Sequence, residues 1–202
     1  MIQREALLAA ISRLTAAMER EAPALNEIDG ALGDGDLGIT MTRGMQAVTA
    51  GVGEMPADLG QALLRCAQAF TKTSGSSYGT LFATGLMAGA KALKGRESFE
   101  ASEVSGLISA ARDAMQQRGK AELGGKTVLD SLDAMAQATA GLSEPGEVAR
   151  AAYEAARQSM EAFRDKPATV GRARIFADKS RTMYDPGMLA MTRIVEAVTG
   201  EP

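Results

Sequence analysis

The chain has 202 residues, 46% hydrophobic and 4% aromatic, with no tryptophan and a formal net charge of −3. One domain with an aliphatic, methionine-containing core follows from these values; the lack of a basic run and of stacking rings argues against a nucleic-acid partner. Histidine is absent altogether, which excludes a Ser-His-Asp triad, an HExxH zinc site and a phosphohistidine on this chain. The single cysteine, Cys66, lies in an apolar helical pattern and reads as a small core residue. No signal peptide or membrane span is visible, so the expected setting is the cytoplasm, without a membrane partner.

Helical periodicity dominates the chain. Leu7, Ile11, Leu14 and Met18 form a first apolar stripe, and Leu25, Ile28 and Leu32 a short second helix that stops at Gly33. Met41, Met45, Val48 and Val52 mark a third, and Pro56 opens a fourth carrying Leu59, Leu63 and Phe70. A fifth runs from about Ser77 to Leu93 and contains Gly79, Gly85 and Gly89, where neighbouring backbones can approach. Ser102 is the expected cap of a sixth, with Val104, Leu107, Ile108, Ala111 and Met115 inside and Gly119 at its end. Leu129, Leu132 and Met135 follow in a seventh that ends near Gly141, and Val148, Ala152, Met160 and Phe163 in an eighth after Pro145. Asp185-Pro186 reads as an N-cap and a first helical proline, opening a last helix with Leu189, Ile194, Val195 and Val198. No alternating strand and no repeat is visible. The expectation is an all-α single domain over residues 1–202 with eight or nine helices.

The chemistry lies between helices. Asp29, Asp34 and Asp36 fall within eight residues, in the run Asp29-Gly30-Ala31-Leu32-Gly33-Asp34-Gly35-Asp36-Leu37-Gly38. Three carboxylates held together repel, and a hard divalent cation relieves that repulsion; Mg²⁺ takes one or two carboxylates and leaves positions for water and phosphates. The competing reading is a polar turn with solvated acids. An EF-hand is excluded, because the acidic spacing fails and no glutamate closes the loop. Ser74-Gly75-Ser76-Ser77 precedes a helix, where backbone amides favour anions. Gly125-Lys126-Thr127 imitates the end of a P-loop but lacks the leading glycine, since residue 120 is Lys120; the 120–127 segment remains a candidate ligand contact. About twenty residues between Asp165 and Asp185 show weak periodicity and carry Gly171, Arg172, Arg174, Lys179 and Arg181, which suggests a cationic lid over phosphates or, alternatively, a solvated connection.

Together these motifs resemble, in order and over nearly the whole length, the nucleotide-binding L subunit of dihydroxyacetone kinases, a family also found as the C-terminal domain of single-chain forms. The resemblance is carried by Asp29 with Gly33–Gly38, by Ser74–Ser77, by Arg118-Gly119-Lys120-Ala121-Glu122 with Gly125-Lys126-Thr127, and by Gly171-Arg172-Ala173 and Asp185-Pro186-Gly187. It implies a barrel-like bundle of about eight amphipathic helices with the nucleotide at one end. It implies two Mg²⁺ ions on Asp29, Asp34 and Asp36, which with Arg172 form the expected catalytic set. ATP or ADP is expected on Leu37, Gly38, Ile39, Thr40, Ser76, Ser77, Gly119, Val128, Arg172, Asp185, Pro186 and Gly187. Leu37 stands where many members have histidine, Tyr78 where glycine is usual, and the lid from Arg174 to Tyr184 departs from the common form.

The activity so implied is phosphoryl transfer to a short-chain hydroxyketone, a triose or tetrose, held on a separate K-type subunit whose histidine captures the carbonyl. The chain is expected to be inactive as a ketone kinase without that partner. Two donors fit the resemblance: exchanging ATP, or bound ADP recharged by a phosphotransferase-system protein. A homodimer stays open. Two other classes compete. A Mg²⁺-dependent ADP-ribosyl hydrolase needs a second acidic cluster, for which Asp130 and Asp133 are candidates on an expected solvated or partner-facing surface; an ADP-bound regulator of transcription needs no turnover.

Overall fold

The structure, a computed structural model, describes residues 1–201. Its first helix, α1 (Arg4–Leu32), is continuous where the sequence reads as two, and Pro23 lies inside it. A proline within a helix lacks one donor and crowds the preceding turn, at a cost of about 3 kcal/mol. The apolar stripe Ile11, Leu14, Met18, Leu25, Leu32 stays in phase across Pro23 and is buried throughout. Burial of Met18, Leu25 and Leu32 at about 2 kcal/mol each outweighs that cost, so one rod forms.

The other helices are α2 (Leu37–Ala50), α3 (Leu59–Thr73), α4 (Ser77–Ala92), α5 (Val104–Gly119), α6 (Val128–Thr139), α7 (Pro145–Ala162), the short α8 (Ala177–Ser180) and α9 (Pro186–Thr199). Several ends differ from the sequence expectation. Val52 belongs to a 3₁₀ turn, Val52–Glu54, after α2 has closed at Gly51. Helix α3 opens at Leu59 and not at Pro56, because the Asp58 carboxylate accepts the Gln61 N–H at 3.0 Å. Ser102 caps nothing; it lies in a 3₁₀ turn, Ala101–Glu103, whose start is closed by a Glu100/Glu103 capping box. Phe163 is the C-cap of α7. Two strands of two residues each, β1 (Ile2–Gln3) and β2 (Ser98–Phe99), pair antiparallel with Ile2 opposite Phe99; segments this short carry no readable alternation.

Each long helix packs on the next in sequence, from α1 through α7, then α7 on α9, and α9 returns to α1. The result is a closed all-α ring of eight helices, with α8 outside it. Short connections make the chain run alternately up and down. The C-terminal ends of α1 and α5 and the N-terminal ends of α2, α4, α6 and α9 therefore meet at one end of the barrel. The interior is filled by Met18, Met41, Met45, Met115, Met135 and Met191 among leucine, alanine and valine, with Phe70 fully enclosed. Among the described residues no helix is long and apolar enough to cross a membrane.

Two glycines set how closely the wall helices approach. A Cβ on Gly38 would lie 2.2 Å from the Ala22 carbonyl oxygen of α1, and one on Gly44 2.2 Å from Cε1 of Phe70. Gly44→Ala adds helix propensity of about 1 kcal/mol, but its methyl meets a ring with no space to yield. The variant is expected to lose about 1–3 kcal/mol in urea unfolding with an unchanged m-value. A neutral or stabilised variant would contradict this packing.

Candidate functional site

The barrel end where these termini meet forms a cleft of about 840 Å³, within the range of small-molecule sites. Four helix N-termini open onto it, at Asp36-Leu37, Ser76-Ser77, Thr127-Val128 and Asp185-Pro186-Gly187. Unpaired backbone N–H groups and aligned peptide dipoles make each such terminus electropositive and attractive to phosphate.

Beside this positive surface stands the acidic triplet. Asp29 comes from the last turns of α1, and the 33–36 loop, with Gly35 at φ 76, carries Asp34 and Asp36 back toward it. One oxygen from each of the three carboxylates lies within 4.8 Å of the others. The arrangement is held by the backbone. Oδ2 of Asp29 accepts the N–H groups of Asp36 at 3.0 Å and Leu37 at 3.2 Å. Asn26, one helical turn earlier, accepts the Ile39 N–H at 3.2 Å. The end of α1 thus caps α2, and Asp36, which occupies the cap position, makes no cap bond with its own side chain. Its carboxylate stays available to the cleft.

Charge sets the protonation of these acids. A hydrogen bond and ion pair from Arg172 hold Asp34 below its ordinary value, while burial and the charges of Asp34 and Asp29 raise Asp36. A cluster of oxygen donors that raises one of its own members suits a hard divalent cation. It is the only group of ligand-bearing residues with that geometry among the described residues.

The anion side is built from caps. Ser76 Oγ accepts the Gly79 N–H at 3.2 Å, and Ser74 Oγ accepts the Ser76 N–H at 3.3 Å. A Cβ on Gly79 would sit 1.9 Å from Ser74 Oγ, so this turn requires glycine there. Tyr78 is half-buried at the wall of the cleft, and its hydroxyl donates to the Gly187 carbonyl at 3.3 Å, tying the start of α4 to the start of α9. Asp185 accepts the Met188 N–H at 2.9 Å; burial pushes its pKa up to about 6, against the backbone N–H groups of Met188 and Gly187 and the Lys126 charge.

Of the residues expected at a ligand, Asp29, Asp34, Asp36, Leu37, Ser76, Ser77, Gly119, Val128, Arg172, Asp185, Pro186 and Gly187 line the cleft. Gly38, Ile39 and Thr40 do not: Gly38 packs on Ala22, Ile39 turns its side chain to solvent, and Thr40 is buried beside Gly79. Thr127 and Arg118, which belong to the motifs that carry the resemblance, also line it, as do Met115, Val170 and Ile175, which the sequence does not mark as ligand contacts. Thr127 was legible, since Thr127-x-x-Asp130 has the spacing of a capping box.

That box corrects the surface placement expected for Asp130. It is buried and accepts the N–H groups of Thr127 at 2.8 Å and Gly124 at 2.5 Å, while Asp133 holds Arg112 at 2.5 Å and Gln137 at 2.7 Å. Neither lines the cleft, so the second acidic cluster required by the hydrolase reading is not formed by these residues. Nor does Lys126 touch the cleft; it is 1% exposed and bonded to main-chain carbonyls. The long 165–185 segment is structured: a 3₁₀ turn, Arg172–Phe176, leads into α8, Ala168, Ala173 and Met183 gather on Leu32, and Lys179 Nζ donates to the Ala31 carbonyl at 2.8 Å.

The same helical fold occurs in a solved dihydroxyacetone kinase. The C. freundii enzyme crystallised with AMP-PNP and Mg²⁺ superposes with a TM-score of 0.73 at 20% identity, covering 96% of this chain and 33% of that one. The ADP-binding subunit DhaL of the PEP-dependent dihydroxyacetone kinase of Escherichia coli is 30% identical over 175 residues, 83% of this chain and 82% of that protein. Human triokinase/FMN cyclase is 34% identical over 180 residues, 86% of this chain; the chain spans 31% of that relative's length. The DAK2 domain model matches residues 31–200, and the chain belongs to the DAK2-domain family.

Asp185 carries a pH prediction. The folded protein holds its proton more tightly than the unfolded chain, so the stabilisation is fully present below about pH 4 and is lost as pH rises through about 6. Asp185→Asn keeps a cap acceptor but does not titrate. Its unfolding free energy in urea, relative to the native chain, is expected to climb between about pH 4 and about pH 7 by an amount on the order of 3 kcal/mol. A difference that stays flat over that interval would contradict the burial of a titrating carboxyl here.

Proposed function

We propose that the chain is the nucleotide-binding part of a dihydroxyacetone-type kinase, which passes a phosphoryl group from Mg²⁺-bound ATP to a short-chain hydroxyketone held on a K-type partner. One observation carries this reading: three carboxylates and four helix N-termini share a single cleft. A polyphosphate fits the amide surface but is repelled by the acids, and a polyphosphate with divalent cations satisfies both. The names of the relatives agree, one being an ADP-binding subunit and another a triokinase.

In this reading Asp29, Asp34 and Asp36 hold the Mg²⁺ ions. Bound there, Mg²⁺ supplies neutralisation of the charge that develops on the transferred phosphoryl group. The protein's own residues do the rest. The start of α4 at Ser76 and Ser77 and the start of α9 at Pro186 and Gly187 offer backbone amides to the phosphates and fix their position. Arg172, paired with Asp34, is placed to follow the phosphate charge. Ile175 on the lid, at the edge of the cleft, presents an apolar surface that keeps water from the phosphates. No histidine is present to capture a carbonyl, so ketone binding falls to the K-type partner. We take exchanging ATP as the donor and a ketose larger than a triose as the acceptor. ADP that stays bound through gel filtration would instead favour recharging by a phosphotransferase-system protein.

The test is a coupled assay of ADP release with ATP, Mg²⁺ and dihydroxyacetone or erythrulose. Turnover is expected with a K-type partner and not with the chain alone. Asp36→Asn is expected to lower kcat at least 100-fold, the loss of about 3 kcal/mol of preorganised charge contact. Robust phosphorylation of either ketose by the chain alone would contradict the division of labour, and full activity of the variant would contradict the role of the triplet.

A further inference from the structure

Lys126 is the one lysine enclosed in the fold, at 1% exposure, and nothing in the chemistry above uses it. It adopts a left-handed backbone conformation, φ 61, between Gly125 and the Thr127 cap. Its ammonium donates to four main-chain carbonyls: Arg164 at 2.7 Å, Lys166 at 2.9 Å, Ser180 at 2.6 Å and Met183 at 2.8 Å. Three protons are shared among four oxygens, and no carboxylate takes part.

A buried ammonium is costly unless it is fully bonded, and burial pulls this one's pKa down while the charges of Asp185 and Asp165 oppose that. The four carbonyls meet the need as a cage would for a monovalent cation. A neutral amine has only two protons to give, methionine none, and the flat guanidinium of arginine cannot converge on four oxygens around one centre.

The origin of those oxygens gives the cage a meaning. Arg164 and Lys166 begin the segment that leaves α7, and Ser180 and Met183 end it, just before Asp185. Both stems of the lid are therefore tied to one atom. Two further bonds staple the same place: the Ala168 N–H to Ser180 Oγ at 2.8 Å, and the Thr169 N–H to the Gly125 carbonyl at 3.2 Å. Between the stems lies Arg172, which reaches Asp34. On the other side of Lys126 in sequence lie Thr127 and Val128, which line the cleft.

We propose that Lys126 is a positioning residue that pins both stems of the 164–183 lid to the start of α6 and so presents Arg172 to the acidic mouth, without touching phosphate itself. The proposal rests on the reading of the cleft as a nucleotide site.

The test uses the full chain and three variants, Lys126→Met, Arg172→Ala and the double variant. Without ligand, Lys126→Met is expected to speed tryptic cleavage after Arg172, Arg174, Lys179 and Arg181 at least tenfold, with amide exchange in α1–α5 unchanged. Calorimetry with ADP and Mg²⁺ is expected to show at least a tenfold loss for each single variant and no more than a twofold further loss when they are combined, because both act through one lid. A general loss of stability would not produce that non-additivity. A folded Lys126→Met variant with native lid cleavage overturns the clamp, and so do losses that multiply. Should Lys126→Met fail to fold, amine-reactive labelling of the native chain decides: Lys126 is expected to react at least tenfold more slowly than Lys120 and more slowly still with ADP and Mg²⁺, and equal rates overturn the proposal. A native chain that does not bind ADP with Mg²⁺ overturns the nucleotide reading instead, which the ligand-free cleavage rates do not depend on.

Discussion

Three like charges brought within 4.8 Å of one another repel, by about 3 kcal/mol per pair at an effective dielectric near 20. The backbone holds them there nonetheless. The chain turns at once from the end of α1 into the start of α2, and the amides freed by that turn land on Asp29. Arg172 from the far side of the sequence neutralises Asp34. Burial, together with the residual repulsion from Asp34 and Asp29, raises the affinity of Asp36 for a proton. A divalent cation would relieve the repulsion that remains, and the proposed nucleotide site rests on that relief.

The up-and-down barrel makes the arrangement economical. Every second helix begins at the same end, so four N-termini converge, those of α2, α4 and α6 after short connections and that of α9 after the 165–185 segment. Their positive ends lie beside the acids and offset part of the repulsion. The same topology explains the close glycines: helices whose ends must converge have to approach along their length, and Gly38 against Ala22 and Gly44 against Phe70 permit it.

Much of this was legible in the sequence because the local signals were chemical. Asp29, Asp34 and Asp36 with interleaved glycines read as a ligand cluster, Ser74–Ser77 as a helix start, and Asp185-Pro186 as a cap and first turn; the three aspartates, Gly75–Ser77 and Asp185-Pro186 border one cleft. What escaped depends on tertiary packing. Periodicity broken by a proline suggests two helices, yet the buried face of α1 carries it through Pro23. Helical spacing does not separate a solvated acid from one that caps its own helix, so the pattern alone puts Asp130 on the surface although it is buried in a capping box. The long basic segment was readable as a loop, but the small cluster on Leu32 and the Lys126 cage arise from residues distant in sequence. Tyr78, a departure from the expected glycine, joins α4 to α9 through Gly187, a contact that no local pattern encodes.

The central claim is that the acidic mouth accepts a polyphosphate only together with a divalent cation. Titration calorimetry of ADP against the native chain, with magnesium present and then removed by chelation, tests it most directly. Binding that tightens at least 100-fold with magnesium, and loses that gain in Asp34→Asn/Asp36→Asn, is the expected result; equal affinity with and without the metal would contradict the account.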